Sequence, residues 1–305
     1  MDARALKLNT GRMDTQATPL AAVTVNEILD RFVRDSLPKR GLRTQRDYLR
    51  HIRILRREFG ERIADELRPR DFGPFLEVRK GPIQRVRQLA VLSAAFTDAV
   101  SRWYMIERNV LRDVKRRKNK PRDRLVLDEE FQGCKAIANP RMQLAMTLAV
   151  LTGQRQGDII GFRWSDVREV TIEGRTFFEL HVFQAKTAKR IAIEVTADLE
   201  AVLDRCWLLN GGGHAGSEYV LPTRFGRPYT SEGFRACWQR TIAKYCRRGN
   251  KRFTFHDLRA LAATKCASLE EAQHLLGHST SAMTRRVYRR GIERVKPLTL
   301  SAVQM

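Results

Sequence analysis

Residues 167–195 read VREVTIEGRTFFELHVFQAKTAKRIAIEV, and the spacing of apolar residues here differs from that of the sequence on either side. The stretch holds three runs rich in Val, Ile and Phe, residue types that favour β-strands, at residues 167–172, 175–183 and 190–195. Glu173-Gly174 predicts the first turn, and Ala-Lys-Thr-Ala-Lys at residues 185–189 predicts the second. We therefore expect a small antiparallel sheet within a mainly α-helical chain.

Apolar residues at helical spacing flank the predicted sheet on both sides. Thr24 is a candidate N-cap for the first helix, and Ser268 and Glu271 have the spacing of a capping box. After the first helix, the pattern predicts helices at residues 44–59, 82–104, 128–137, 141–151, 198–209, 231–245, 257–267, 268–276 and 281–290.

A chain of 305 residues exceeds the usual size of one domain, so we expect two. We assign residues 1–23 to a flexible arm, 24–106 to a compact helical domain, 107–124 to a basic interdomain linker, and 125–305 to a second domain with a C-terminal tail. Runs of like charge often contact nucleic acid, which favours a linker lying along DNA over a solvated connector. The linker residues predicted to contact DNA are Lys115, Arg116, Arg117, Lys118 and Lys120.

Charge indicates a polyanionic partner. The chain has 57 Lys and Arg against 34 Asp and Glu, a net charge of +23, and this favours DNA or RNA. No apolar run is long enough to span a membrane and no signal-peptide pattern opens the chain, so we expect a soluble intracellular protein. The cysteines lack metal-ligand spacing, which favours reduced, buried thiols over zinc or disulfides: Cys134, Cys206, Cys237, Cys246 and Cys266.

Five short segments carry side chains suited to chemistry on a phosphate. Arg155 follows a predicted helix end at Gly153, and a lysine lies in the second sheet turn. An imidazole and a guanidinium stand three residues apart, on one face of a helix. A second imidazole ends a Leu-Gly-His turn, and a tyrosine follows ten residues later in a basic helix. The candidates, in order, are Arg155, Lys186, His256, Arg259, His278 and Tyr288.

Each segment alone is weak, but their order and spacing together resemble the tyrosine recombinase, or phage integrase, family over about residues 125–290. The resemblance implies a helical core-binding (SAM-like) domain followed by an α+β catalytic domain. The sequence departs from the family pattern at Asp158, where Glu is more common, and at Ala260, where a larger polar residue is often found.

The resemblance also implies a role for each residue. Arg155 and Arg259 would clamp the phosphate oxygens, and His256 and His278 would hydrogen-bond the phosphate or manage the tyrosine proton. Tyr288 would form a 3′-phosphotyrosyl ester without a metal or another cofactor. Two further residues complete the assignment: Lys186, on the same turn as the alternative Lys189, would protonate the leaving 5′-oxygen, and Asp158 would orient Arg155.

Three functions are consistent with these residues. The first is a site-specific recombinase that binds double-stranded DNA as a homo-tetramer on two sites and integrates or excises a phage or mobile element, in the bacterial cytoplasm at the nucleoid. Residues 296–305, with apolar Leu298, Leu300 and Val303, would pack on a neighbouring subunit. The alternatives are a monomeric topoisomerase of the type IB kind and a non-catalytic DNA-binding protein.

Overall fold

The structure is a computed structural model that describes residues 22–77, 81–116, 124–212 and 217–278. The chain divides into two compact units, the first up to Pro121 and the second from Arg122 onward. This division falls within residues 107–124, where the sequence predicts a linker. Most of the predicted arm at 1–23, namely residues 1–21, lies outside the described residues, as do the predicted helix at 281–290 and the C-terminal tail.

The first unit is helical. Thr24 caps its first helix, as expected: its hydroxyl accepts a hydrogen bond from the backbone of Glu27, whose carboxylate accepts one from the backbone of Thr24 at 2.7 Å. The core contains Phe32, Leu55 and Phe96, all fully buried. The helices are α1 (Val25–Asp35), α2 (Leu42–Phe59), α3 (Gly73–Glu77) and α4 (Pro82–Ser101).

Residues 109–114 pack in the first unit, in place of the extended segment predicted from residue 107. Asn109 caps a short 3₁₀ turn, and Val110 and Leu111 are 2% and 1% exposed in the core of this unit. Arg116 donates a hydrogen bond to the carbonyl of Leu111 at 2.8 Å. Val110 and Leu111 stand among charged residues, so the composition of the segment does not reveal that they are buried. In the structure they anchor the segment to the core of the first unit.

The second unit combines helices with one three-stranded sheet. This confirms the predicted fold class, mainly α with a small antiparallel sheet. Its elements are α5 (Asp128–Ala136), α6 (Pro140–Thr152), α7 (Gln156–Ile159), β1 (Val167–Ile172), β2 (Arg175–Gln184), β3 (Lys189–Glu194), α8 (Ala197–Leu209), α9 (Ser231–Cys246), α10 (Asp257–Lys265) and α11 (Leu269–Leu276).

The sheet has the strand order β1-β2-β3, antiparallel throughout. Leu180, Val182 and Gln184 alternate along β2 and face the core, because successive side chains of a strand point to opposite faces. The first turn uses left-handed backbone at Glu173 and Gly174, with φ of 52° and 80°. Strand β2 runs one residue further than predicted, to Gln184.

Helix α6 lies against α8 and α10 and fills the centre of the second unit. Its buried face carries small and flexible side chains, among them Ala145, Met146 and Ala149, so neighbouring helices approach closely. It ends at Gly153, whose φ of 63° is readily adopted only by glycine. The reversal there directs the following residues toward the end of the sheet.

Within the described residues, no helix is long and apolar enough to cross a membrane. No group of three or more His, Cys, Asp or Glu side chains suited to a metal ion is found in those residues either. In the described part of the chain, no disulfide joins the five cysteines, which were all predicted to be buried, and the structure buries three of them. Cys134, Cys206 and Cys266 are buried, and Cys237 and Cys246 are partly exposed.

Candidate active site

Arg155 emerges from the turn that ends α6. It is the N-cap of α7, with extended backbone, so its side chain leaves the helical core. The guanidinium donates a hydrogen bond from Nη1 to Oε1 of Gln184 at 2.9 Å, and Nη1 lies 3.9 Å from Oδ2 of Asp158. With its side chain 21% exposed, Arg155 is held on one side and reaches solvent on the other.

Arg259 lies in the first turn of α10 and is only 3% exposed. Its guanidinium donates to the backbone carbonyls of Gly153 and Leu276, so it joins the end of α6 to the end of α11. Burial and, after it, the nearby charge of Arg155 lower the pKa of Arg259, Asp158 acts in the opposite direction, and the net result is a pKa of about 9. Arg259 therefore stays cationic at neutral pH.

Asp158 supports the two arginines electrostatically. Burial raises the pKa of its carboxyl, while the charge of Arg155 and backbone N–H groups of Arg155 and Ala185 act in the opposite direction. Within the described residues, its buried Oδ2 accepts no hydrogen bond. The predicted role of orienting Arg155 stays a prediction, and in this structure the two interact by charge across 3.9 Å.

His278 follows the glycine that ends α11 and is 9% exposed. Its backbone N–H donates to the carbonyl of Gln273 at 3.1 Å. Burial lowers the pKa of His278 most, the positive charges of Arg259, Arg155 and Lys189 and then His256 lower it further, and together they bring it to about 4. The imidazole is therefore neutral at pH 7, and those four groups surround it closely enough to influence it.

His256 is exposed at the start of α10. Its neighbour Asp257 fixes this helix start, since the Asp257 carboxylate accepts hydrogen bonds from the backbone and hydroxyl of Thr254 at 2.8 and 2.7 Å. The HxxR spacing places an exposed imidazole and a buried guanidinium at the same helix terminus, and the predicted shared helix face stays a prediction.

Lys186 lies in the exposed turn between β2 and β3. The next residue, Thr187, binds this turn to Gln184: its N–H donates to the Gln184 carbonyl at 3.1 Å and its hydroxyl to Oε1 at 3.0 Å. Lys189 begins β3 and is one of the charges that lower the pKa of His278. Both lysines stand on the turn beside Gln184, and the assignment of Lys186 stays a prediction.

Two residues of this site were not singled out from the sequence, Gln184 and Gln154, which are 0% and 1% exposed. Gln184 occupies an inward position on β2, after Leu180 and Val182, where an apolar residue is expected. This polar side chain at an inward strand position is the sequence feature that could have identified Gln184 as part of the site. Gln154 sits between Gly153 and Arg155 and contacts the carbonyl of Leu275 at 2.8 Å.

The structure thus brings together Arg155, Arg259 and His278, with His256 in electrostatic range. Tyr288 lies outside the described residues. Among the linker candidates, Lys115 is exposed, and Arg116 is partly buried against the first unit, which lowers the pKa of its guanidinium. The remaining linker candidates also fall outside the described residues: Arg117, Lys118 and Lys120.

A helical unit followed by an α+β unit, with two arginines and a histidine converging beside a β-turn, defines the class of tyrosine-type site-specific recombinases. Residues 128–293 match the model of the phage integrase family, which covers more than half of the chain. The chain belongs to this family.

Relatives agree with this assignment. The integrase of Escherichia phage lambda is 28% identical over 288 residues, which span 86% of this chain and 75% of that protein. The integrase of Enterobacteria phage 434 has the same identity and coverage. A prophage integrase of Escherichia coli K12 is 29% identical over 306 residues, spanning 88% of this chain and 76% of its own length.

Solved structures of lambda integrase are similar along the chain. A dimer bound to a core site superposes with a TM-score of 0.75 at 25% identity, covering 91% of this chain and all (100%) of that one. A lambda integrase tetramer bound to a Holliday junction superposes with a TM-score of 0.74 at 26% identity. The match covers 91% of this chain and 81% of that one. These similarities confirm the predicted architecture of a helical core-binding domain and an α+β catalytic domain.

Proposed function

We propose that this integrase cuts and rejoins strands of double-stranded DNA through a 3′-phosphotyrosyl intermediate. The Tyr288 oxygen attacks the scissile phosphorus and gives its proton to a histidine of the site, a phosphorus–tyrosine bond forms, and the bond from phosphorus to the 5′-oxygen breaks as that oxygen takes a proton from Lys186. A 5′-hydroxyl from another strand then reverses these steps without ATP. The observation that carries the proposal is the convergence of Arg155, Arg259 and His278 in a member of the phage integrase family.

The two arginines would neutralise charge that grows on the non-bridging phosphate oxygens. Guanidinium groups match phosphate geometry with two parallel donors, and such electrostatic stabilisation is often the largest catalytic contribution. Arg259 is suited to this because its fork is already fixed by the carbonyls of Gly153 and Leu276. Little rearrangement is then needed when the phosphate arrives.

The remaining groups would handle protons. His278 is neutral before DNA binds, so it can accept one hydrogen bond and donate another. His256 would assist from the exposed edge of the site, and Lys186 would give a proton to the departing 5′-oxygen. Asp158 would hold Arg155 by charge.

The assembly on DNA is part of the proposal. The net charge of +23 supports binding to a polyanion. Residues 24–106 would act as the core-binding domain, and the basic run that includes Lys115 and Arg116 would follow the phosphate backbone. By similarity to lambda integrase, which forms a tetramer on a Holliday junction, this chain would assemble as a homo-tetramer on two sites. Residues 296–305 would pack on a neighbouring subunit.

The biological reaction would be integration or excision of a phage or other mobile element in a bacterial cell. The relatives named above are phage or prophage integrases, which supports this reading. The DNA itself would be the only substrate.

Covalent capture tests the proposal. Wild-type protein and Tyr288→Phe are expressed in cells that carry the native genomic neighbourhood, purified under denaturing conditions, and any attached DNA is sequenced. We expect one short site with the wild type alone. DNA spread evenly over the genome would favour a topoisomerase, and absence of DNA from both proteins would favour a non-catalytic DNA-binding protein.

A further inference from the structure

The polar side chain at the inward end of β2 contacts three separate parts of the site. Gln184 reaches Arg155, the turn that carries Lys186, and the Leu-Gly-His segment that carries His278. We propose that Gln184 is a positioning residue for strand cleavage, which locks the phosphate-binding Arg155 and the leaving-group turn into one rigid arrangement. This inference rests on the proposed function.

The hydrogen bonds of Gln184 use its full capacity. Oε1 accepts from Nη1 of Arg155 at 2.9 Å and from the hydroxyl of Thr187 at 3.0 Å. Nε2 donates to Oε1 of Gln154 at 2.8 Å and to the carbonyl of Leu276 at 3.1 Å. A primary amide offers two acceptor positions and two donor hydrogens, and all four are engaged.

The partners determine which way the amide points. A guanidinium only donates, so the atom facing Arg155 is the oxygen, and a carbonyl only accepts, so the atom facing Leu276 is the nitrogen. Leu276 also accepts from Arg259. Gln184 and Arg259 therefore share one carbonyl, and through it the two arginines belong to the same network.

A neutral acceptor is needed at this position. A carboxylate at the same distance would hold Arg155 equally well, but it would cancel part of the positive charge that the phosphate requires. It would also face the oxygens of Gln154 and Leu276 with no hydrogen to donate. Glutamine orients the guanidinium and leaves its charge available.

The adjacent backbone is shaped to admit this side chain. A Cβ built on Gly277 would lie 2.6 Å from Nε2 of Gln184, closer than real Cβ atoms approach. Gly277 also has a φ of 61°, which favours glycine independently. The turn before His278 and the amide of Gln184 thus fit each other directly.

The first test separates charge positioning from general loss of structure. Cleavage of a core-site duplex is measured in single turnover for wild type and Gln184→Met, on a normal phosphodiester and on one whose scissile group is a neutral methylphosphonate. Misplacement by about 1 Å can cost about a hundredfold in rate, so we expect a loss of about tenfold to a hundredfold on the phosphodiester. The methylphosphonate carries one negative charge fewer than the phosphodiester, so less charge is left for Arg155 to neutralise and the loss should shrink to about threefold.

A second variant tests the other arm of the network at an exposed position, where a substitution disturbs the core least. Thr187→Val removes only the hydroxyl that donates to Gln184, at an exposed turn. We expect slower cleavage of the phosphodiester, and recovery when the leaving 5′-oxygen is replaced by sulfur, which departs without a proton. For Gln184→Met the matched control is Gln143→Met, because the side chain of Gln143 on α6 donates to the carbonyl of Ala138, away from this network.

The outcomes distinguish the two proposals. If wild type forms no covalent adduct, the proposed function fails and this inference fails with it. If wild type cleaves and both Gln184→Met and Thr187→Val cleave at its rate, only the role of Gln184 is overturned. The role of Gln184 would also be overturned if Gln184→Met lost equal rate on the phosphodiester and the methylphosphonate and Thr187→Val did not recover on the sulfur substrate. A purely structural defect slows the cleavage of all substrates alike.

Discussion

The buried and exposed parts of the site are built differently. Arg259 is 3% exposed and bonded to two backbone carbonyls, and Gln184 is fully buried with four hydrogen bonds. Lys186 and His256, by contrast, stand on an exposed turn and an exposed helix start. Arg259 and Gln184, which would bind or orient charge, are fixed in the interior together with His278, whereas Lys186 and His256, which would move protons, lie at the surface.

This division follows from what each task requires. Stabilising a growing charge is most effective when the dipoles and cations are already oriented and shielded from water. A proton donor must keep a pKa near the working range, and deep burial beside two arginines would push a lysine toward its neutral form. The contrast predicts that substitutions in the two parts fail in different ways.

The largest effect is expected at the exposed turn. Lys186→Ala should slow cleavage by roughly a hundredfold to ten-thousandfold, the usual contribution of a general acid, with little change in thermal stability because the residue is exposed. Replacing the leaving 5′-oxygen by sulfur should restore most of the rate. Lys189→Ala is the matched comparison on the same turn. Should Lys189→Ala show the sulfur-dependent recovery instead, the roles of the two lysines are exchanged.

At the buried part, Arg259→Lys should lower the cleavage rate by about a hundredfold or more, because an ammonium cannot serve two carbonyls and a phosphate from one planar fork. Unlike Lys186→Ala, this variant should not recover on the sulfur substrate. Arg163→Lys serves as the control, since Arg163 lies at the surface in an ion pair with Glu218 at 3.0 Å. Near-normal cleavage by Arg259→Lys would contradict the contrast between the two parts.

Gly277→Ala should destabilise the fold by about 2 kcal/mol, from left-handed backbone strain and from collision with Gln184. Cleavage should fall by about tenfold as the amide is displaced. Gly174→Ala isolates the backbone component, because Gly174 has a φ of 80° and open space around its Cβ position. Urea unfolding and single-turnover cleavage measure the two effects. Equal destabilisation by both substitutions would show that contact with Gln184 contributes nothing.

Local features of this fold were predictable from sequence. The strand runs, the Glu173-Gly174 turn and the end of α6 at Gly153 are each determined by neighbouring residues, and the structure places them within about one residue of expectation. The caps at Thr24 and Ser268 are likewise local. Short-range chemistry was sufficient for these elements.

The network beneath the site was not predictable in the same way. The bond from Gln184 to Leu276 joins residues 92 apart, and the bond from Arg259 to Gly153 spans 106. Periodicity within a strand or helix carries no information on which distant carbonyl will accept a hydrogen bond. The packing of Val110 and Leu111 was missed for a related reason, because burial of an apolar pair in a charged run depends on the surface that receives it.

The smallest expected effect is the acid sensitivity of the buried part. The folded-state pKa of His278 is about 4, whereas an imidazole in the unfolded chain has a pKa of about 6.5. Between these values the unfolded state binds a proton that the native state excludes, so stability falls as pH decreases through this window and levels off below it. The contribution is on the order of 2 kcal/mol.

Urea unfolding of DNA-free protein is measured at pH 7.5 and at a pH near 4.5. The free energy of unfolding should fall less between these two pH values for His278→Asn than for wild type. His274→Asn should match wild type, since His274 is exposed on α11 and keeps its contact with water on unfolding. Bound DNA should reduce the loss in wild type, because a phosphate beside His278 would stabilise the imidazolium. If His278→Asn retained the full acid loss, His278 would not be the group excluded from protonation, and the electrostatic contrast between the interior and the exposed turn would have to rest on the arginines alone.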